Sequence, residues 1–194
     1  MHSAESRSPD RILNKALELF SKKGYDATSV REICEAAAIT KPTLYHFYGS
    51  KEGVYRALVE GALQEYKERL VRQVEAPGTP IERLKAIARD YFAFARERRE
   101  LVRFIFALVH NPSSSAPVTD FSNFYAGVVG LVHGVVEQGI AEGTLRPGPG
   151  ELRMLVFMGA LGESLSGYLI TGKPEITPEL ADRLVDTIVE GWAK

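Results

Sequence analysis

Apolar residues recur along this chain at intervals of three and four and nowhere in strict alternation, the pattern of amphipathic helices rather than of half-buried strands. Ile12, Leu13, Ala16, Leu19 and Phe20 share one helical face. Ser8-Pro9-Asp10 precede them as N-cap, first-turn proline and first-turn acid, and Gly24 follows as a stop. Ser29 and Glu32 make a capping box ahead of Val30, Ile33 and Ala37, the inner face of a short second helix. Thr40 caps a third helix from Lys41 to Tyr48, with Pro42 in the first turn, where its missing N–H is not needed. Ser50 caps a fourth, running from Lys51 towards Val74.

The break Ala76-Pro77-Gly78 is followed by Thr79-Pro80-Ile81-Glu82, again a cap, a first-turn proline and a capping box. The helix they open runs towards Arg98 with Leu84, Ile87, Ala88, Tyr91, Phe92 and Ala95 inward, and Leu101 to His110 form another. Residues 111–117, with three serines and two prolines, read as a mobile connection. A long helix is expected from Val118 to Glu142 and ends at the run from Gly143 to Gly148. The next begins at Pro149 and passes through Met154, Phe157 and Leu161 to Thr171, where Gly172-Lys173-Pro174 stop it. Thr177-Pro178 start the last, which ends near Trp192. The expectation is an all-α protein of about nine helices without a repeat at fixed period.

Composition narrows the class. With 194 residues, 45% hydrophobic and 25% charged, the chain has an ordinary globular mixture and enough length for a sizeable core. Its apolar runs are broken by Arg, Glu, Gly or His short of the roughly 20 residues a bilayer crossing needs, so no membrane segment is expected. Met1 to Ser8 contain no apolar run, so a secretory signal is not expected either, which points to the cytoplasm. Cys34 is the single cysteine and excludes a disulfide framework or a cysteine-rich zinc site; its neighbours Ile33 and Ala37 suggest a packed thiol. Net charge is −1, yet residues 1–51 hold eight Lys or Arg against six Asp or Glu, an excess that permits a local DNA-binding surface.

Two catalytic motifs are approached and missed. Gly167-Tyr168-Leu169-Ile170-Thr171-Gly172-Lys173 follows most of a phosphate-loop pattern. It closes on Pro174 rather than Ser or Thr, follows no strand, and fills its spacer with apolar helix. Gly162-Glu163-Ser164-Leu165-Ser166 falls short of a nucleophile elbow at its last position and lies mid-helix. His133 and Glu137 lie one turn apart with His110 farther back, a ligand set too small for a metal and better read as a polar pair or pocket wall. No catalytic residues, metal or cofactor are expected.

The early trio is the sharpest feature: two short helices joined by a turn from Ala37 to Thr40 and braced by the preceding amphipathic helix, which is helix-turn-helix spacing. Periodicity alone is met equally by a small helical bundle. The run Arg11-Ile12-Leu13, Ala16, Leu19-Phe20, Gly24-Tyr25, Thr28-Ser29-Val30, Ile33, Ala37, Ile39-Thr40, Leu44-Tyr45 and Ser50-Lys51-Glu52 resembles the N-terminal signature of the TetR (TetR/AcrR) family of transcriptional regulators. That resemblance implies a helix-turn-helix DNA-binding domain over residues 8–52 and an effector-binding and dimerisation domain over residues 53–194. The helix from Lys41 to Tyr48 would then read the major groove. Lys41, Pro42, Thr43, Tyr45 and Phe47 would face bases or backbone, Arg31 would stand at the start of the second helix, and Lys51 would point at phosphate. The starts at Ser29, Thr40 and Ser50 would offer N–H groups to phosphate. Ala38 stands where the family usually has Gly, which implies a slightly strained or differently shaped turn. His46 precedes Phe47 and Tyr48 where the family often has His and then Phe, which leaves open which of the three meets DNA.

The resemblance further implies a small apolar effector, double-stranded operator DNA as partner and a homodimer. Inward aromatics and methionines with scattered polar groups suit an effector pocket of Tyr91, Phe92, Phe104, His110, Tyr125, His133, Met154, Phe157 and Met158. Gly127, Gly130 and Gly134 share a face that either admits a closely packed helix or leaves room for ligand. Gly159, Gly162 and Ser166, with the stripe Leu180, Leu184, Ile188 and Trp192, are the candidate dimer interface. The rival readings are a helical protein-interaction adaptor and a small-molecule enzyme.

Overall fold

The computed structural model describes residues 8–110 and 116–192, the last by its backbone alone, and their regular secondary structure is helical throughout. Nine helices are found among them, as the periodicity predicts. The chain divides into two compact units, residues 1–64 with 100–120 and residues 65–99 with 121–194. This division is discontinuous where the sequence suggested one boundary after residue 52.

The first unit is built on α1 (Ser8–Lys23), α2 (Val30–Ala36), α3 (Lys41–Tyr48), the first half of α4 (Lys51–Val74) and nearly all of α6 (Arg99–His110). Ile12, Ala16 and Phe20 bury the predicted face of α1 against Ile33 and Ala37 of α2, Leu44 of α3, and Val54 and Tyr55 of α4. Helix α6 joins this core through Leu101 and Phe104, both buried. The Phe104 ring stacks on Phe20 at 6.3 Å and meets Tyr55 edge-on at 5.8 Å, contacts between residues some fifty to eighty positions apart that no local pattern announces.

The second unit contains α5 (Pro80–Glu97), α7 (Ser122–Ala141), α8 (Gly150–Thr171) and α9 (Pro178–Trp192), with the second half of α4. Its core gathers Leu84, Ile87 and Phe92 of α5, Val132 and Val136 of α7, Met154, Phe157 and Leu161 of α8, and Ala181 and Val185 of α9. The capping box at Thr79 and Glu82 forms as expected. Arg69 reaches from α4 to Asp90 with paired hydrogen bonds and to Glu97 at 2.6 Å, while Arg89 to Asp182 and Lys85 to Asp186 join α5 to α9. Helix α7 starts at Ser122, four residues later than the hydrophobic pattern suggested, and Val118 is 89% exposed. Residues 111–115 of the expected mobile connection lie outside the described residues.

The structure corrects the expectation about apolar runs. Helices α7 and α8 each contain an 18-residue window of mean hydropathy 1.3, long and apolar enough by composition to cross a membrane. Reading charges singly hid this, because α7 carries Glu137 as its sole charged residue. Both helices also supply core residues to the second unit, which composition alone does not reveal.

Candidate nucleic-acid interface

The approach to α3 is set by hydrogen bonding at the end of α2. The Ser29 side chain accepts from the Glu32 N–H while the Glu32 carboxylate accepts from the Ser29 backbone, the predicted reciprocal cap. Lys23 also donates to that carboxylate. With the lysine first and the Ser29 groups next, these bonds hold the Glu32 pKa down to about 2. At the other end, Ala38 N–H donates to the Glu35 carbonyl and Ile39 N–H to the Cys34 carbonyl, the two bonds of a Schellman turn. Such a turn needs a left-handed residue, and Ala38 occupies it at φ 48°. An alanine therefore holds the left-handed position that glycine takes most easily.

Thr40 then starts α3, its hydroxyl accepting from Thr43 N–H and lying 2.8 Å from the Thr43 hydroxyl. Leu44 is fully buried and anchors the helix. At 100° per residue, Pro42 and His46 lie opposite it. Lys41, Pro42, Tyr45, His46 and Phe47 are exposed, Tyr45 at 48% and Phe47 at 43%, and Thr43 is half-exposed. Of the open trio, Tyr48 turns inward and donates its hydroxyl to the Pro9 carbonyl at 3.0 Å, whereas His46 and Phe47 remain outside, their rings edge to face at 5.1 Å. Ser29 and Arg31 are exposed on α2, Arg31 in a surface pair with Glu35 at 2.7 Å. The helix and its flanks thus present cations, hydroxyls and aromatic rings, the groups that meet phosphates and base edges.

Lys51 departs from the expected orientation. Its ammonium turns inward, donating to the Tyr25 and Thr28 carbonyls at 3.0 Å each and lying 4.0 Å above the Tyr25 ring. Sequence reasoning also missed Gly53. A Cβ there would stand 1.8 Å from the Tyr48 carbonyl oxygen, so only glycine lets α4 begin this close to the end of α3. Its Gly-at-third-position of a helix carried no periodic signal.

The nine expected pocket residues divide between the two units. Phe104 and His110 belong to the first unit and the other seven to the second. His110 is exposed and stacked on Phe106 at 3.9 Å. Tyr125 is 56% exposed, Phe92, Met154 and Phe157 are buried core, and Met158 is half-buried. His133 is half-buried 3.3 Å from Glu137, the expected polar pair. A cluster of rings in the second unit was not foreseen: Tyr66 packs against Tyr91 at 5.9 Å, Phe94 at 5.8 Å and Phe124 at 6.0 Å. Burial pushes the Tyr91 hydroxyl pKa up to about 12 and raises that of Tyr66 as well. In the first unit, a cavity of about 530 Å³ is walled by Phe20, Tyr25, Tyr55, Phe104 and Leu108, with Lys22 and Arg103 at its edge.

A Cβ at Gly127, Gly130 or Gly134 would meet nothing within 4 Å, so among the described residues no other helix approaches closely there. Of the candidate interface residues, Gly159 is exposed, while Gly162, Ser166, Leu180, Leu184 and Ile188 are half-buried; the Trp192 side chain lies outside the described residues. Gly159 and Ser166 share a face of α8 with Leu152, Leu155, Val156 and Ile170, which are 50 to 73% exposed.

Residues 12–58 match the model for bacterial regulatory proteins of the tetR family. The HTH-type negative transcriptional regulator IcaR of the biofilm operon icaADBC, from Staphylococcus epidermidis, is 40% identical over 63 residues. That match covers 32% of this chain and 34% of IcaR, so the chain spans about a third of that relative's length. Among solved structures, the transcriptional regulator FadR from Bacillus subtilis in complex with stearoyl-CoA superposes with a TM-score of 0.75 at 18% identity, covering 94% of this chain and 98% of that one. AibR in complex with isovaleryl coenzyme A and operator DNA gives a TM-score of 0.69 at 23% identity, covering 94% and 98%. These two likenesses extend the shared fold over both units. Through residues 12–58, which form its N-terminal helices, the chain is similar to the tetR family of bacterial regulatory proteins.

Proposed function

We propose that this protein is a ligand-responsive transcriptional regulator rather than an enzyme, a cytoplasmic homodimer that represses by binding a palindromic operator and is released by a small apolar effector. The observation that carries the reading is α3, an eight-residue helix held by the single buried anchor Leu44 with Lys41, Pro42, Tyr45, His46 and Phe47 turned outward. Ser29, Arg31, Thr40 and Thr43 complete the DNA-facing set, supplying hydroxyls, backbone N–H groups and one guanidinium.

The apolar face of α8 formed by Leu152, Leu155, Val156, Gly159 and Ile170 supports pairing with a second copy. Burying it between copies gives the two apolar helices a partner other than lipid, and pairing sets the two recognition helices about one DNA turn apart, roughly 34–36 Å. The effector reading draws on the ring cluster at Tyr66 and Tyr91, whose desolvated hydroxyls would orient a ligand lying in an apolar space. An acyl thioester fits that chemistry, and both structural relatives described above hold one. Effector releases DNA to the extent that it prefers the conformation with misspaced heads. Isothermal titration with stearoyl-CoA and isovaleryl-CoA, followed by gel shift on a duplex selected by the protein, tests this. A bound thioester is expected to weaken DNA binding by roughly 5- to 150-fold, the usual range of coupling between sites. Binding that leaves DNA affinity untouched contradicts the release mechanism.

A further inference from the structure

Lys51 is the first residue of α4, three positions beyond the end of α3, and its ammonium is occupied inside the first unit. The two carbonyls it holds, Tyr25 and Thr28, lie at opposite sides of the turn between α1 and α2. That turn is otherwise closed by Thr28 N–H to the Tyr25 carbonyl at 3.2 Å and by the Thr28 hydroxyl to the Gly24 carbonyl at 2.8 Å. Thr28 is buried, and Ser29, the next residue, is the N-cap of α2. One side chain therefore ties the start of α2 to the chain leaving α3. The Tyr25 ring below the ammonium compensates its lost hydration.

We propose that Lys51 is a positioning residue for DNA recognition: it fixes the angle between α2 and α3 by clamping the α1–α2 turn, and does not neutralise a phosphate. The proposal rests on the DNA-binding reading above and replaces the phosphate contact that the family resemblance implies for this position. A phosphate contact and a clamp leave opposite signatures. Losing one phosphate contact lowers the slope of log affinity against log salt by about 0.9 and weakens all sequences alike. Losing a clamp leaves the slope intact and weakens the duplex whose base edges must be met in register.

The test uses the full-length protein, a duplex that the wild type selects from a randomised pool, and a scrambled duplex of equal length. Lys51→Met keeps the stem and removes the donors; Lys51→Arg keeps the charge, but its longer, planar fork directs its N–H groups differently from a compact ammonium. The Met variant is expected to lose about tenfold in affinity for the selected duplex at every salt concentration, about 1.4 kcal/mol, and the Arg variant, whose longer planar fork directs its N–H groups differently, to lose affinity as well. Slope and scrambled-duplex affinity are expected to be unchanged. A slope reduced by about 0.9 in the Met variant, with both duplexes weakened together and Arg restoring both, overturns the proposal. So does wild-type affinity in both variants. Amide hydrogen exchange without DNA reads the clamp directly: residues 24–30 are expected to exchange at least tenfold faster in either variant, with α1 and α4 unchanged, and unaltered exchange there overturns the proposal. Failure of the wild type to prefer any duplex refutes the DNA-binding reading instead, and the exchange measurement still decides whether the clamp exists.

Discussion

Ala38 holds a left-handed backbone at φ 48° in order to close the Schellman turn before α3. An L-residue there costs roughly 1–2 kcal/mol, whereas glycine forfeits roughly 0.4–1 kcal/mol through the freer unfolded chain. Ala38→Gly is accordingly expected to raise stability by about 0.5–1 kcal/mol, read as a higher denaturation midpoint at constant m. A lower midpoint contradicts the strain. Glu32 gives a pH signature from the same motif. Its folded pKa of about 2 lies below its ordinary value of 4.5, so the α2 cap contributes fully above pH 4.5 and is lost as pH falls through 2. The stability gap between wild type and Glu32→Gln is expected to be constant near neutrality, to narrow below pH 4.5 and to close by about pH 2. A gap independent of pH would mean that the carboxylate charge contributes nothing.

Helix α3 separates anchoring from reading. Leu44→Ala removes a fully buried side chain and is expected to lower stability by about 2–5 kcal/mol. Tyr45→Ala, at an exposed position, is expected to leave stability within about 0.5 kcal/mol of wild type and to weaken DNA binding. Denaturant titration beside gel shift distinguishes them, and Tyr45→Ala with wild-type DNA affinity removes that ring from the interface. The helices and their caps were legible in the sequence because their causes are local: Ser29 with Glu32 and Thr79 with Glu82 lie three residues apart and need only the chain between them. Lys51 was not legible, since the carbonyls that hold it lie 23 and 26 residues back and exist as a pair only once the turn is folded. The scattered pocket list has the same origin. Periodicity says that Phe104 and Tyr91 face inward but not that they face into different units, and nothing local marks Tyr66 as the centre of a ring cluster.

Across the whole molecule, α8 carries apolar side chains on two faces, the open one interrupted by the exposed Glu163. Met154, Phe157, Leu161 and Leu165 are buried in the second unit, and Leu152, Leu155, Val156 and Ile170 stand opposite them in the open. A further charge on the open face is expected to dissociate the proposed homodimer without unfolding the chain. Val156→Asp should therefore sediment as a monomer with an intact helical spectrum and bind a single half-site weakly; an unchanged dimer places the interface elsewhere. In the proposed dimer, a folded head presents α3 outward twice in each particle. Selection of duplexes from a randomised pool by the wild-type protein tests it most directly. The predicted outcome is an inverted repeat with half-site centres one helical turn or a multiple apart, about 10–10.5 base pairs, bound with an affinity that falls linearly in log salt. A pool with no enriched sequence, or with a single unpaired motif, would contradict it.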